Sequence, residues 1–283
     1  MIIAQPQGRK RCIKSALWSA FSLVVCLPLI FPLYWVLISS LKSDAEIFAS
    51  PPTLLPSTFY FDNYLTQIMA PGAFQSILNS GLIALGSLAL SLCLSIPCAY
   101  GLARYQMPGK KVFMMSFLVT QMLPCSLVLT PLFLTYNRVG LLNTYWAPIL
   151  STATISIPFI VLVMRPAFMA YPKELEEAAR IDGCNRFTAF LRIIVPISKN
   201  GMITAVTFAF IFGWNDLVYS ITFNSKENLR PMTATIYNYI DMYGTRWNMI
   251  MTYGILLVLP IVLIFIFLQR YIVDGLVSGS VKG

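Results

Sequence analysis

Residues 177–196 read EAARIDGCNRFTAFLRIIVP and form a charged stretch in a chain of which only 11% is charged. The stretch includes acids, arginines, a glycine and a proline, which are residue types that cap helix ends and form ion pairs with a partner. It cannot contribute to a Ser-His-Asp triad or a histidine metal site, because the chain contains no histidine. Its charges are therefore interpreted in terms of contact with a partner or with the membrane surface.

The first half of the stretch, with the residues just before it, has the sequence features of a short helix. Pro172 suits the first helical turn, and the acids within 174–177 favour the positive end of the helix dipole. Gly183 can adopt the left-handed conformation that ends a helix. One face would be shallow because two of its four members are alanines: Leu175, Ala178, Ala179 and Asp182.

A second short helix is predicted from Asn185, which is a good N-cap, and Pro196 would end it. Its apolar face would consist of Phe187, Phe190, Leu191 and Ile194. Helices this short are marginal alone in water, so something must hold them in place. Two interpretations remain open from the residues alone: docking into a cleft on a partner, or a linker that lies on the membrane surface.

The elements around this stretch are six long apolar blocks. A helix needs about 20 apolar residues to cross the hydrocarbon of a bilayer. The blocks lie at 16–41, 76–103, 112–134, 147–169, 201–223 and 250–272. The first is too long for a signal peptide and is interpreted as a retained span. We therefore predict an all-α polytopic membrane protein with six transmembrane helices.

The distribution of basic residues predicts the orientation of these spans. Six spans place both termini on one side, and five of the 20 basic residues then lie on the other: Lys42, Arg138, Lys226, Arg230 and Arg246. The other 15 mark the cytoplasmic side, so both termini are expected there. This topology accounts for the net charge of +9, and nucleic-acid binding is not expected because no basic face is clustered on a soluble fold.

The same topology divides the chain into segments. Residues 1–15 and 273–283 are expected to be cytoplasmic tails, and 16–41 the first transmembrane helix. The remaining five helices would form a domain over 72–272. Its longest inner loop, 170–200, contains the charged stretch.

Nucleotide binding through a phosphate-binding loop is excluded. The nearest fragment to the pattern G-x-x-x-x-G-K-[ST] is MPGKK at 107–111, and Arg104 stands where the first glycine belongs. No cofactor or metal is therefore expected on this chain.

Asp216, in FGWNDLVYS, is the most notable acid in an apolar block. An acid within the membrane is a candidate for ion coupling. The alternative is a position near the outer interface, where Trp214 and Tyr219 would be aromatic anchors. A carrier driven by protons or sodium would also be expected to show more buried acids and a repeated hydropathy pattern, and neither is evident.

The charged stretch resembles a known signature. Glu177-Ala178-Ala179, then Gly183, then Ile193-x-Val195-Pro196 match the EAA pattern E-A-A-x-x-x-G-x(9)-I-x-L-P of binding-protein-dependent ABC importer permeases, with Val195 in place of leucine. Asp182 before the glycine is also typical of that family. FGWNDL at 212–217 and the tail VDGLVSGSVKG at 273–283 resemble sugar permeases of the maltose-transporter class, and the resemblance covers nearly the whole chain.

The resemblance implies the type I importer permease fold in a bacterial-type inner membrane. It implies a heterodimer with a second permease, two separate ATPase subunits that bind ATP and Mg, and an extracytoplasmic solute-binding protein. The chain itself would be a transport subunit rather than an enzyme, and its cargo a sugar such as an oligosaccharide. The alternative from a different class is an ATP-independent secondary carrier or channel.

The resemblance also implies roles for particular residues. The expected ATPase-coupling residues are Glu177, Ala178, Ala179, Asp182 and Gly183. The expected tail contact with the ATPase is Ser278, Gly279, Ser280, Val281, Lys282 and Gly283. The loop 224–249 would reach the binding protein through Tyr239, Tyr243 and Trp247, although its aromatic residues also suit a membrane-interface belt. Asn215 and Asp216 are candidates for the pathway.

Overall fold

The computed structural model of the chain describes residues 7–241 and 244–277, which are mainly helical. In chain order the α-helices are α1 (Gln7–Ser40), α2 (Asp44–Ile47), α3 (Asp62–Met69), α4 (Ala73–Arg104), α5 (Lys110–Met122), α6 (Cys125–Arg138), α7 (Trp146–Met169), α8 (Glu174–Ile181), α9 (Arg186–Ala189), α10 (Val195–Ile197), α11 (Lys199–Trp214), α12 (Val218–Phe223), α13 (Met232–Thr235) and α14 (Trp247–Val277). A π-helical turn covers Phe190–Ile194, and 3-10 turns cover Glu227–Leu229 and Ile236–Tyr239. The predicted helical class is confirmed, with one small antiparallel pair, β1 (Ile240–Asp241) and β2 (Gly244–Thr245), beside the helices.

The chain forms two compact units. The first unit comprises the residues up to Ile68 together with Asn238–Leu256, and the second comprises Met69–Tyr237 and the residues from Leu257 onward. The boundary therefore falls within α14, whose first ten residues belong to the first unit.

In the first unit, polar side chains hold the segment that follows α1. Lys42 is 1% exposed, donates from Nζ to the carbonyl oxygen of Thr53, and lies 5.0 Å from the centre of the Trp35 ring. The carboxylate of Glu46 accepts the backbone N–H of Ser57 at 2.8 Å. The proline-rich chain between α2 and α3 is irregular, as its composition predicts, and these contacts give it a defined path.

The core of the second unit is built by α4, α7 and α11, which pack against one another. Small residues allow the close approach of α4 and α11. A Cβ at Gly213 would lie 2.6 Å from Cα of Ala84, so a larger residue there would force the backbones apart. Close packing through glycine, alanine and serine is a common way for helices to associate in lipid.

Four helical segments are long and apolar enough to cross a membrane: Phe21–Ser40, Ala73–Arg104, Trp146–Met169 and Trp247–Ile272. Two bent helix pairs raise the number to six if each is one span. Lys110–Met122 meets Cys125–Arg138 at 99°, and Arg186–Ile197 meets Lys199–Trp214 at 83°. Among the residues described, four of the apolar blocks thus match continuous helices, the third contains the bend of 99°, and the bend of 83° lies just before the fifth.

Helix ends differ from the predicted segment boundaries at three places. The first helix already includes Gln7, within the predicted N-terminal tail, and α14 continues to Val277, beyond the predicted end at 272. The fifth block, predicted as 201–223, is helical only to Trp214, and a separate helix begins at Val218. The hydropathy of a sequence indicates which segments can lie in lipid, but it does not indicate the residue at which a helix ends.

Two of the prolines within the spans have a polar side chain of a neighbouring helix bonded to the backbone just before them. The amide of Gln121 donates to the carbonyl of Ile155 at 2.8 Å, three residues before Pro158. The indole N–H of Trp214 donates to the carbonyl of Leu257 at 3.0 Å, three residues before Pro260. Each of these carbonyls lies next to the one four residues before the proline, which has lost its N–H donor, so the side chains add hydrogen bonds beside the break.

Candidate functional site

The predicted helix at the charged stretch exists as α8, and it ends as its glycine predicts. Gly183 has φ +89°. Its N–H donates to the carbonyl of Arg180 at 3.2 Å, and the N–H of Cys184 donates to the carbonyl of Ala179 at 3.0 Å. These two bonds form a Schellman motif, in which the left-handed residue satisfies the last carbonyls of the helix. The prediction that Gly183 stops the helix is confirmed.

The residues expected to couple to an ATPase lie together on α8 and on the turn that follows it. Glu177, Ala178, Asp182 and Gly183 are exposed. Ala179 differs, because it is 3% exposed and packs inward. The predicted face of small residues is therefore divided, with Ala179 supporting the helix and the other residues available to a partner.

Two apolar side chains at this surface were not singled out as contacts by the sequence. Ile181 is 87% exposed and Phe187 is 67% exposed, on either side of Gly183. Of the predicted packing face, Phe190 and Ile194 are buried, at 6% and 0% exposure, whereas Phe187 and Leu191 are exposed. The π-helical turn that begins at Phe190 changes the residue spacing there, which a regular helical pattern does not anticipate. Exposed large apolar residues with charged neighbours are typical of a docking surface.

The second short helix begins where its cap predicts. The side-chain oxygen of Asn185 accepts the backbone N–H of Thr188 at 2.8 Å, which confirms the predicted N-cap of α9. Pro196 lies in α10, close to the bend of 83° that leads into α11. A shallow concavity between the two helices is lined by Glu177, Arg180, Ile181, Cys184, Asn185 and Arg186.

An ion pair joins α8 to the C-terminal end of α4. Nε of Arg104 lies 2.5 Å from Oε1 of Glu176, with side-chain exposures of 7% and 16%. The Tyr100 hydroxyl donates to Oε2 of Glu176 at 2.5 Å, and Nη1 of Arg104 donates to the carbonyl of Tyr171 at 3.0 Å. The contact between Arg104 Nε and Glu176 is close but not aligned as a hydrogen bond. No structural role was predicted for Arg104.

Asp216 lies at the break between α11 and α12 and caps the second of these helices. It is 8% exposed. Its carboxylate accepts the backbone N–H groups of Tyr219 at 3.2 Å and Ser220 at 3.0 Å, and the Ser220 hydroxyl at 2.6 Å. Asn215 beside it is exposed. The carboxylate is thus fully engaged in a local helix cap, a role that the sequence did not assign to it.

The N-terminal part of α4 binds residues 228–232. The Asn79 amide donates to the carbonyls of Asn228 and Arg230, both at 2.9 Å, and Asn79 is 0% exposed. Its side-chain oxygen accepts the hydroxyl of Tyr145 at 2.8 Å. Ser80 accepts the backbone N–H of Met232 at 2.8 Å. These contacts fix the path of the loop after α12, and the apolar pattern around Asn79 gave no sign of them.

In the first unit, the residues predicted to contact a binding protein are only partly accessible. The Tyr239 hydroxyl donates to Oε1 of Gln67, and burial raises the pKa of Tyr239 above its ordinary value. The Arg246 guanidinium lies 5.6 Å from the Tyr239 ring. Trp247 is 39% exposed, whereas Ile240 is 52% exposed and was not predicted. Tyr243 and the six tail residues Ser278 to Gly283 lie outside the described residues.

Metal binding has no candidate centre in residues 7–241 and 244–277, which contain no group of three His, Cys, Asp or Glu side chains that could hold an ion. The surface formed by α8 and α9 is therefore suited to recognition of a partner by shape, charge and apolar contact.

Comparison with known proteins gives consistent matches. A family model described as "Binding-protein-dependent transport system inner membrane component" matches residues 91–277, which include the charged stretch. The probable ABC transporter permease protein YurM of Bacillus subtilis is 33% identical over 270 residues, or 95% of this chain and 89% of that protein. The trehalose transport system permease protein SugB of Mycobacterium tuberculosis is 30% identical over 95% of this chain and 98% of its own length.

A further relative and a solved structure extend these matches. The diacetylchitobiose uptake system permease protein DasC of Streptomyces coelicolor is 28% identical over 97% of this chain and all of its own length. The fold is similar to that of a chain in the crystal structure of a bacterial ABC transporter that imports the acidic polysaccharide alginate. The TM-score is 0.76 at 19% identity, over 96% of this chain and 99% of that chain. The chain therefore belongs to the binding-protein-dependent transport system inner membrane component family and is a multi-pass permease subunit of an ABC importer.

Proposed function

We propose that this chain, paired with a second permease, imports a sugar such as an oligosaccharide that an extracytoplasmic binding protein delivers. The exposed EAA turn around Gly183, inside the region that the family model matches, is the observation that carries the proposal. The sugar cargo is supported by relatives named for diacetylchitobiose and trehalose transport.

In this proposal α8 and α9 dock into a groove on a separate ATPase subunit. Ile181 and Phe187 supply the apolar contacts, and Glu177 and Asp182 supply the charged ones. Apolar anchors surrounded by charges are the usual arrangement at such interfaces. The ATPase pair binds ATP and Mg, whereas this chain binds no nucleotide and acts only as the transport subunit.

Transport then requires the membrane helices to switch between two packing arrangements. ATP binding closes the two ATPase subunits, and the docked helices pass that closure to the membrane helices as a rotation. The pathway opens outward to a docked binding protein and closes again after hydrolysis. The break between α11 and α12, at Asn215 and Asp216, is our candidate for a segment that lines the pathway.

On the outer side, we place the contact with the binding protein on the loop 224–249, with Tyr239, Tyr243 and Trp247 as predicted and Ile240 as an additional exposed residue. The basic residues favour cytoplasmic termini, and the tail 278–283 would meet the ATPase pair. Because Asp216 is engaged as a helix cap, it gives no support to the alternative of an ion-driven carrier.

The proposal is tested by purifying a tagged chain from its native membrane in mild detergent and assaying ATP hydrolysis. We expect a second permease and an ATPase to be recovered with it. Uptake of labelled trehalose, maltose and diacetylchitobiose by cells with and without the gene tests the class of cargo. Recovery of the chain alone, still able to move solute into liposomes without ATP, would overturn the proposal.

A further inference from the structure

The ion pair between Arg104 and Glu176 joins two helix ends of opposite polarity. Arg104 lies in the last turn of α4, where the helix dipole favours a cation, and Glu176 lies in the first turn of α8, where it favours an anion. The side chains are 7% and 16% exposed, so water screens the pair weakly. The other ion pair among the described residues, Arg230–Glu227, is 3.8 Å apart, and its glutamate is 84% exposed. The Arg104–Glu176 pair is therefore the stronger of the two ion pairs.

Tyr100 connects the same pair to the core of the second unit. Its hydroxyl donates to Glu176, and its ring lies 4.5 Å from the Phe190 ring and 6.0 Å from the Phe168 ring. Phe168 belongs to α7 and Phe190 to the π-helical turn after α9. One tyrosine thus contacts the elements before and after α8, and Ala179 adds a buried contact from α8 itself.

The turn before α8 is fastened as well. Arg104 donates to the carbonyl of Tyr171 at 3.0 Å, and the Tyr171 hydroxyl donates to the carbonyl of Ile197 at 2.7 Å. The two ends of the segment 171–197 are therefore bonded to each other, and the first end is bonded to Arg104 on α4, in addition to the ion pair at Glu176.

We propose that Arg104, Tyr100 and Glu176 form a clamp that makes α8 move as one body with α4. This inference rests on the proposed coupling role of α8 and adds the residues that position it. An isolated helix of eight residues is marginal in water and would yield when a partner pushes on it. Clamped to α4, which packs along α7 and α11, the same helix passes a displacement directly to the membrane core.

The test measures rigidity within this one chain, in the complex purified with its partners and placed in nanodiscs. Spin labels replace Leu175 on α8 and Leu94 on α4, which are 41% and 52% exposed, in a background without the native cysteines. Pulsed electron resonance then gives the distance distribution between the labels with and without ATP. The variants are Arg104→Gln, Glu176→Gln and the milder Tyr100→Phe. Glu174→Gln is the matched control, because it removes an exposed charge from the same helical turn.

For the native residues and for Glu174→Gln, we expect a narrow distribution that ATP does not shift. Arg104→Gln and Glu176→Gln should at least double its width, and Tyr100→Phe should have a smaller effect in the same direction. The melting temperature and the amount of ATPase recovered separate loss of the clamp from loss of folding or assembly.

Two results would overturn the clamp: variants that keep the narrow distribution, or native residues whose distance itself shifts with ATP. Failure to recover any ATPase with the native chain would instead count against the proposed function. The width without ATP would still report on the clamp in that case.

Discussion

Ser220 donates both its backbone N–H and its hydroxyl to the same carboxylate oxygen of Asp216, at 3.0 and 2.6 Å. The other oxygen accepts the N–H of Tyr219 at 3.2 Å. An acid in an apolar block is commonly a sign of ion coupling, but this geometry is that of a helix cap placed where the fifth span breaks. The two interpretations predict different results for substitution.

Asp216→Ala should lower the stability of the complex by about 1 kcal/mol, the usual cost of losing a cap, and Asp216→Asn should cost less because the amide oxygen still accepts. Thermal unfolding followed by tryptophan fluorescence measures both values. Transport by either variant should remain dependent on ATP and insensitive to ionophores. Loss of transport in Asp216→Asn at an unchanged melting temperature would instead indicate a direct role in the pathway.

Gly183→Asp should release the ATPase from the complex. A side chain at φ +89° is strained by about 1–2 kcal/mol, and no atom within 4 Å of a new Cβ would clash with it, so the strain comes from the backbone alone. The added charge also alters the turn that docks. Recovery of ATPase on a tagged chain measures the effect.

Gly183→Asn is the matched control for this prediction, because asparagine tolerates the left-handed conformation better than other residues and adds no charge. It should retain more ATPase than Gly183→Asp. Equal, full recovery with both variants would mean that the turn at Gly183 does not contribute to docking.

The sequence predicts features that depend on neighbours along the chain. Gly183 and Asn185 are caps, whose function requires only the adjacent turn, and the structure confirms both. The lengths of the apolar blocks predict the membrane helices, because the length of a block also depends only on residues adjacent in the chain. The resemblance of the charged stretch to a signature, confirmed by the family match, supplies the importer assignment.

Contacts across the fold were not predictable in this way. Tyr100 and Glu176 are 76 positions apart, and Asn79 and Asn228 are 149 apart, so no local pattern pairs them. The π-helical turn from Phe190 to Ile194 alters which residues share a face there, and a regular spacing cannot reveal it. Composition likewise does not indicate the bend of 99° within the third block or the bend of 83° just before the fifth.

Asn79→Leu should loosen the loop that follows α12. The substitution removes the donors to two carbonyls and the acceptor for Tyr145, and each buried polar group left unsatisfied costs about 1–3 kcal/mol. Hydrogen exchange of residues 228–232 in the purified complex should rise at least tenfold. Tyr145→Phe, which removes only one donor, should raise it less, and equal exchange in all three proteins would contradict the anchoring role of Asn79.

Gly213→Leu should destabilise the second unit through overpacking. Its side chain would meet Ala84 and Ser87 on α4, and forced overpacking typically costs about 1–3 kcal/mol. Gly254→Leu is the matched control, because a Cβ there has no atom within 4 Å. A lower yield and melting temperature are expected for Gly213→Leu only, and similar losses in both variants would show that the close approach of α4 and α11 is not the cause.

Glu46 should make the segment after α2 sensitive to acid. The backbone N–H of Ser57 donates to its carboxylate, with further bonds from the Ser57 and Thr53 hydroxyls, and these contacts lower the pKa of Glu46 below its ordinary value of 4.5. A carboxylate whose pKa is lowered by folding stabilises the structure fully above its ordinary pKa. This contribution is lost as the pH falls through the lowered value. The ordering of residues 53–57 should therefore be retained at neutral pH and lost below pH 4.5.

Hydrogen exchange at Ser57, corrected for the intrinsic rate at each pH, measures this ordering. Protection should decrease as the pH falls below 4.5 in the native protein. In Glu46→Gln it should be lower at neutral pH and nearly constant, because the amide accepts hydrogen bonds without a titratable charge. Asp62→Asn is the control, since Asp62 is exposed in the first turn of α3 and should leave the native pH profile unchanged. If Glu46→Gln retained the native pH profile, another acid would have to hold this segment.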